Sequence, residues 1–179
     1  VQTCALPIYY FLLEVAENEP AREYCKNRGL SLKTLQKFRM GVSPKGWNTL
    51  MSVMFKKGFT FSELVEAGLV IQKEDKPNEG YDRFRNRLMF PINNRDGKVV
   101  GFGARLLSDE KDQPKYLNSP ESALFSKRKI LYGLHENQRN IRLRGEAVVV
   151  EGYMDVVGLS EKGVNNAIAT MGTALTEEH

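Results

Sequence analysis

The clearest apolar pattern in the chain runs from Ala147 to Met171. Ala147–Val150 is a short continuous apolar run rich in β-branched residues, the signature of a strand buried on both faces. The run stops on a carboxylate, Glu151, and Gly152 lets the backbone turn sharply. From Tyr153 to Lys162 apolar residues, Met154, Val157 and Leu159 among them, sit at helical spacing until Gly163 ends the helix. Asn166–Met171 reads as a second buried strand, so the order is β-α-β. In open α/β sheets the working groups collect beyond the carboxyl ends of the strands, and Glu151 lies at such an end with Asp155 one helical turn on. Taken alone, a Glu-Gly pair is only a solvated acid beside a turn glycine.

Upstream the periodicity is helical from Tyr9 onward. Glu19–Arg28 is amphipathic and closed by Gly29; Ser31 begins a second segment, with Leu32, Leu35 and Phe38 on one face before Gly41. Gly46-Trp47-Asn48 opens a third helix, carrying Leu50, Met51 and Met54 and ending near Gly58. Thr60 with Glu63 forms a capping box for a fourth, ended by Gly68. The aromatics and methionines of these segments are expected in the core.

The pattern turns polar between Lys73 and Gly80, which predicts a surface loop. Arg87–Ile92 and Lys98–Leu107 then flank Asp96-Gly97, a strong hairpin signal, with Pro91 implying an edge position or a bulge. Gly101 and Gly103 alternate on one face of the second strand, where a ligand or another backbone could come close. No helix follows them, which excludes a dinucleotide fingerprint. Arg83, Arg85 and Arg87 also alternate, so an extended chain would project them on one side and Phe84 on the other.

Composition narrows the class. With 179 residues, 41% hydrophobic and 27% charged, the chain can bury one ordinary core or two small ones. The formal charge of +4 permits a nucleic-acid partner without requiring one. Two distant cysteines give neither a disulfide framework nor metal-site spacing, as in a reducing cytosol. No apolar run approaches the roughly 20 residues that span a bilayer. Residues 1–8, VQTCALPI, look like a translated sequencing adapter and are set aside.

The stretch EGYMDV resembles the first motif of the TOPRIM domain, in the form typical of bacterial DnaG-type DNA primases. YDRFRNRLMFPI, GKVVGFGARLL, PKYLNSPES and LYGLHE are similar to the same family in order and spacing, and the likeness extends from Ala21 to His179. It implies an α/β fold: a mixed subdomain of short helices and a small antiparallel sheet over residues 9–144, followed by an incomplete TOPRIM parallel sheet over 145–179. It also implies RNA primer synthesis on a single-stranded DNA template in the bacterial cytoplasm, with ribonucleoside triphosphates as substrates and a replicative helicase as partner.

Residue by residue, the resemblance assigns Glu151 to metal binding or acid/base work and Asp155 to a supporting role, with Mg2+ or Mn2+ as the cofactor. It assigns Arg28 to the template groove, and Arg105, Lys115, Tyr116 and Asn118 to nucleotide phosphates and template backbone; Lys127, in FSKRK, is a weaker match. Arg83 and Arg85 join this basic set through YDRFRNR. Zinc is expected only in a domain absent from the chain. The family's second acidic motif lies on a later strand, so both ends are expected to be truncated and the 179 residues alone inactive. Two alternatives stay open: a phage or organellar TOPRIM primase-helicase, and a non-catalytic relative that only binds single strands. Sequence beyond His179 separates all three.

Overall fold

The computed structural model describes residues 18–108 and 112–179; the readings of VQTCALPI and of helix near Tyr9 lie outside them. Helix α1 (Glu19–Asn27) starts where the Asn18 side chain accepts from the Ala21 N–H, carries Pro20 in its first turn, and buries Ala21 and Cys25 one turn apart. Ser31 caps α2 (Leu32–Lys37) by accepting from the Thr34 N–H. Leu35 and Phe38 are buried as expected, but Leu32 is 70% exposed. This helix stops at Lys37, Arg39 turns the chain at φ +50°, and Gly41 begins a strand instead of closing a helix: β1 (Gly41–Ser43).

Helices α3 (Thr49–Lys56) and α4 (Phe61–Glu66) follow. The capping box of α4 is reciprocal: Thr60 Oγ1 accepts from the Glu63 N–H, and Glu63 Oε2 accepts from the Thr60 N–H. By contrast, Asn48 makes no capping bond to α3. Asp82, distant in sequence and buried, does so: its carboxylate accepts from the N–H groups of Leu50 (2.7 Å) and Met51 (3.1 Å). Asp82→Asn replaces one acceptor by a donor that faces another donor, so it is expected to lower stability by about 1–3 kcal/mol in chemical denaturation.

The polar stretch expected to be a loop is a hairpin, β2 (Val70–Lys73) paired with β3 (Lys76–Asp82). Its strands are largely exposed, so no alternation marked them, and Asn78 adopts φ +75° within the second. Strands β4 (Arg87–Asn93), β5 (Val99–Leu106) and β6 (Tyr116–Asn118) join β1 in an antiparallel sheet of order β1-β4-β5-β6. Pro91 is on a central strand, but it lies beyond Met89, the last residue of β4 that β1 pairs, and the register shift comes at Ile92/Asn93. The hairpin at Asp96-Gly97 forms as predicted, with Gly97 at φ +79°.

The sheet separates two apolar clusters. Leu88, Phe90 and Ile92 face the larger one with Ala21, Leu35, Phe38, Tyr132, Tyr153, Val156 and Ala169. Met89 and Phe102 face the other, built from Leu50, Met54, Leu64 and Phe84. Gly101 and Gly103 lie on the first face, where aromatic rings approach them; a Cβ on Gly103 would collide with the Tyr153 ring, and one on Gly101 would press on Phe125. The two glycines therefore admit side chains, not a ligand or a backbone. Helix α5 (Leu134–Arg144) leads into the β-α-β unit, β7 (Val148–Val150), α6 (Tyr153–Glu161) and β8 (Ala167–Ala169).

Strands β7 and β8 pair in parallel, and β8 is buried. The expectation that β7 is buried on both faces fails: Val148 and Val149 are 38% and 47% exposed, because β8 is the one strand paired with β7 among the described residues. Among those residues no helix is long and apolar enough to cross a membrane.

Candidate active site

Glu151 and Gly152 follow β7, and Met171 and Gly172 follow β8, so both parallel strands deliver their carboxyl ends to one place. There an open cleft of about 420 Å3 is lined by Glu151, Asp155, Arg28, Tyr116 and Asn118, with Tyr153 and Met154 forming part of its wall. Met171 holds a left-handed φ of +60° at the rim, an uncommon conformation for a non-glycine residue.

Glu151 and Asp155 are both exposed. Asp155 Oδ2 accepts from the Gly152 N–H at 3.1 Å, so one of its oxygens secures the first turn of α6. Tyr153 is buried, its hydroxyl raised in pKa by that burial, and donates to Asn118 Oδ1 at 2.6 Å. The Asn118 amide nitrogen lies 3.5 Å from the Met171 carbonyl, and the Asn118 carbonyl accepts from Arg83 Nε. Burial pushes the Tyr116 hydroxyl up, as does Tyr24, against the opposing influence of Arg105 and Arg28.

The basic residues divide. Arg28 lines the cleft, and Arg105 lies over Tyr24 beside it, with its carbon Cζ 3.9 Å from the ring centre. Lys115 is exposed next to Tyr116. Lys127 does not line the cleft; its backbone N–H donates to Glu121 and its carbonyl meets the His179 ring. The row of Arg83, Arg85 and Arg87 is not extended, because β3 ends at Asp82 and Asn86 turns at φ +52°. Arg83 reaches Asn118, and Arg87 is buried against the Pro114 carbonyl. Arg85 instead stacks 4.1 Å from the centre of the Trp47 ring.

Trp47, expected in the core, is 64% exposed and edge-on to Tyr81. Together with Arg85 it makes an outward aromatic and cationic surface that periodicity placed on the wrong side. Tyr153 opens α6, as its sequence position predicts, and Met171 lies just past β8; those positions are the sequence signals of their place in the cleft.

A family model described as the DNA primase catalytic core, N-terminal domain, matches residues 8–138, and a Toprim domain model matches 145–179. The chain belongs to the DNA primase catalytic core family. The DNA primase of Clostridium acetobutylicum is 45% identical over 169 residues, which cover 94% of this chain and 27% of that protein. The RNA polymerase domain of Mycobacterium tuberculosis primase DnaG, in complex with a double-stranded DNA oligomer with a 6-nucleotide overhang, superposes with a TM-score of 0.90 at 38% identity. That match covers 98% of this chain and 55% of the other. A DnaG primase catalytic domain bound to ssDNA gives 0.86 at 38% identity, over 96% and 55%. The chain thus spans about a quarter of the length of the curated relatives it matches.

As a primase core segment the chain is related to enzymes of the metal-dependent Toprim class, and its residues can be tested against a divalent ion. Glu151 and Asp155 are hard oxygen donors at a strand end, the right chemistry for part of the roughly six oxygen ligands such an ion takes. Among the described residues no three His, Cys, Asp or Glu side chains come together as a metal site. The two carboxylates fit as a partial set.

Proposed function

We propose that the chain is the part of a DNA primase that holds template and ribonucleoside triphosphate against the first acidic strand end of the site. The complete protein would synthesise short RNA primers on single-stranded DNA during replication. The observation that carries this reading is the meeting of Glu151, Arg28, Tyr116 and Asn118 in one cleft. We take residues 9–144 as the N-terminal subdomain of the core and 145–179 as part of the Toprim domain.

Primer synthesis sends a 3′-hydroxyl onto an α-phosphate as pyrophosphate leaves, and negative charge builds on the phosphoryl oxygens. Arg28 and Arg105 offer forked donors to those oxygens, while Lys115 and Lys127 supply point charges along the backbone of the template. Tyr116, 42% exposed, offers a stacking face, and Asn118, steadied by Tyr153, offers an amide. Arg83 holds Asn118 from behind, and Trp47 with Arg85 forms a second stacking surface for the incoming strand. A bound Mg2+ or Mn2+ ion would neutralise charge on the transferring group. Glu151 would hold that ion, with Asp155 in support. The substrates are ribonucleoside triphosphates, the further partner a replicative helicase and the compartment the cytoplasm.

A fluorescence anisotropy titration of the chain with a labelled single-stranded oligonucleotide tests the reading. The expected affinity falls steeply with salt, and Arg105→Ala with Lys115→Ala weakens it by about tenfold at low salt through lost phosphate contacts. Salt-insensitive binding, or no loss in the double variant, removes both residues from the groove.

A further inference from the structure

Tyr24 belongs to no sequence motif, yet Arg28 of the cleft and Arg105 beside it both lie over its ring. It lies on α1 four residues before Arg28, a spacing that brings side chains onto one helix face. The Arg28 guanidinium carbon is 5.4 Å from the centre of its ring. The Arg105 guanidinium, arriving from β5, is 3.9 Å from the same centre. Like charges repel, and the electron-rich ring attracts each of the two cations. Arg105 donates from Nη1 to the Leu106 carbonyl, while its buried Nε has no hydrogen-bond partner among the described residues. The Tyr24 hydroxyl is also buried without a partner among them. What Tyr24 provides at this place is therefore the ring, and the hydroxyl is dispensable.

We infer that Tyr24 is a positioning residue that joins Arg28 and Arg105 into a single anion clamp facing the cleft. This rests on the reading that the two arginines hold triphosphate. Without the ring, the guanidiniums separate and each binds a phosphate alone, losing the geometric advantage of a preset pair. The loss falls on nucleotide binding, and the chemistry at Glu151 is untouched.

The test uses the intact enzyme with ATP as the varied nucleotide. Tyr24→Phe keeps the ring and is expected to leave KM for ATP within about twofold, with an unchanged or higher Tm because an unpartnered buried hydroxyl is removed. Pentafluorophenylalanine at position 24 keeps the shape but reverses the ring's electrostatics. It is expected to raise KM by about tenfold with kcat little changed. In an Arg105→Ala background the same replacement is expected to add less than about twofold, because its main partner is gone. Equal KM values for the Phe and pentafluoro variants overturn the inference, as does an equal loss in both. If Arg28→Ala and Arg105→Ala raise KM while the fluorinated ring does not, the role of Tyr24 alone fails. If the arginine variants also leave KM unchanged, the reading of the cleft fails with it.

Discussion

Glu151→Gln in the intact enzyme is expected to reduce primer synthesis by about 100- to 10,000-fold, the range seen when a positioned acid or base is lost. The folded protein should hardly register the change. Glu151 is exposed at the end of β7, and a surface substitution of nearly equal size alters stability by no more than about 0.5 kcal/mol. Lost ribonucleotide incorporation with a retained melting temperature is the expected pair of results. Glutamine keeps the shape and one acceptor oxygen but gives up the charge, so the loss measures what the carboxylate does for a cation or a proton. Near-normal incorporation would return Glu151 to an ordinary solvated acid at a turn.

Gly103→Val is expected to produce the largest loss of stability. The first atom of any side chain at this position meets the Tyr153 ring. Neither side can give way easily, because Tyr153 is buried, stacks on Phe90 with ring centres 5.1 Å apart, and donates to Asn118. Overpacking of this kind costs about 1–3 kcal/mol, and valine belongs at the upper end. Displacing Tyr153 also frees the Asn118 amide, so oligonucleotide affinity is expected to fall along with the denaturation midpoint. A variant with wild-type stability would mean that Tyr153 has another place to go. Tyr153→Leu tests the same contact from the other side, and in that background Gly103→Val should cost much less.

The features legible in the sequence were those whose cause is local. Thr60 and Glu63 satisfy each other within one turn, Asp96-Gly97 makes its own hairpin, and the run from Ala147 to Ala169 carries the β-α-β order in its own periodicity. The family resemblance added the groups of the cleft, and Glu151, Arg28, Tyr116 and Asn118 do line it.

What escaped depends on partners far along the chain. Asp82 caps α3 from a hairpin that polar composition disguised. Trp47 points outward because Arg85 and Tyr81 receive it there, and apolar character alone does not say which way a ring turns. The Tyr24–Arg105 contact joins a helix to a strand with no shared motif.

The larger apolar cluster has a consequence for how such a protein can be rearranged. Ala21, Cys25 and Leu35 from the first two helices pack in the same cluster as Val156, Val157 and Ala169 of the parallel unit. Ser31 donates to Glu161, and the Lys37 ammonium donates to Ser160 and Asn165, so polar groups stitch the same seam. Recombination that exchanged the segment after Arg144 alone would leave two bare apolar surfaces that no longer match. The parallel unit therefore has to be inherited together with α1, α2 and the face of the sheet that carries Leu88, Phe90 and Ile92, all of them far from it on the chain.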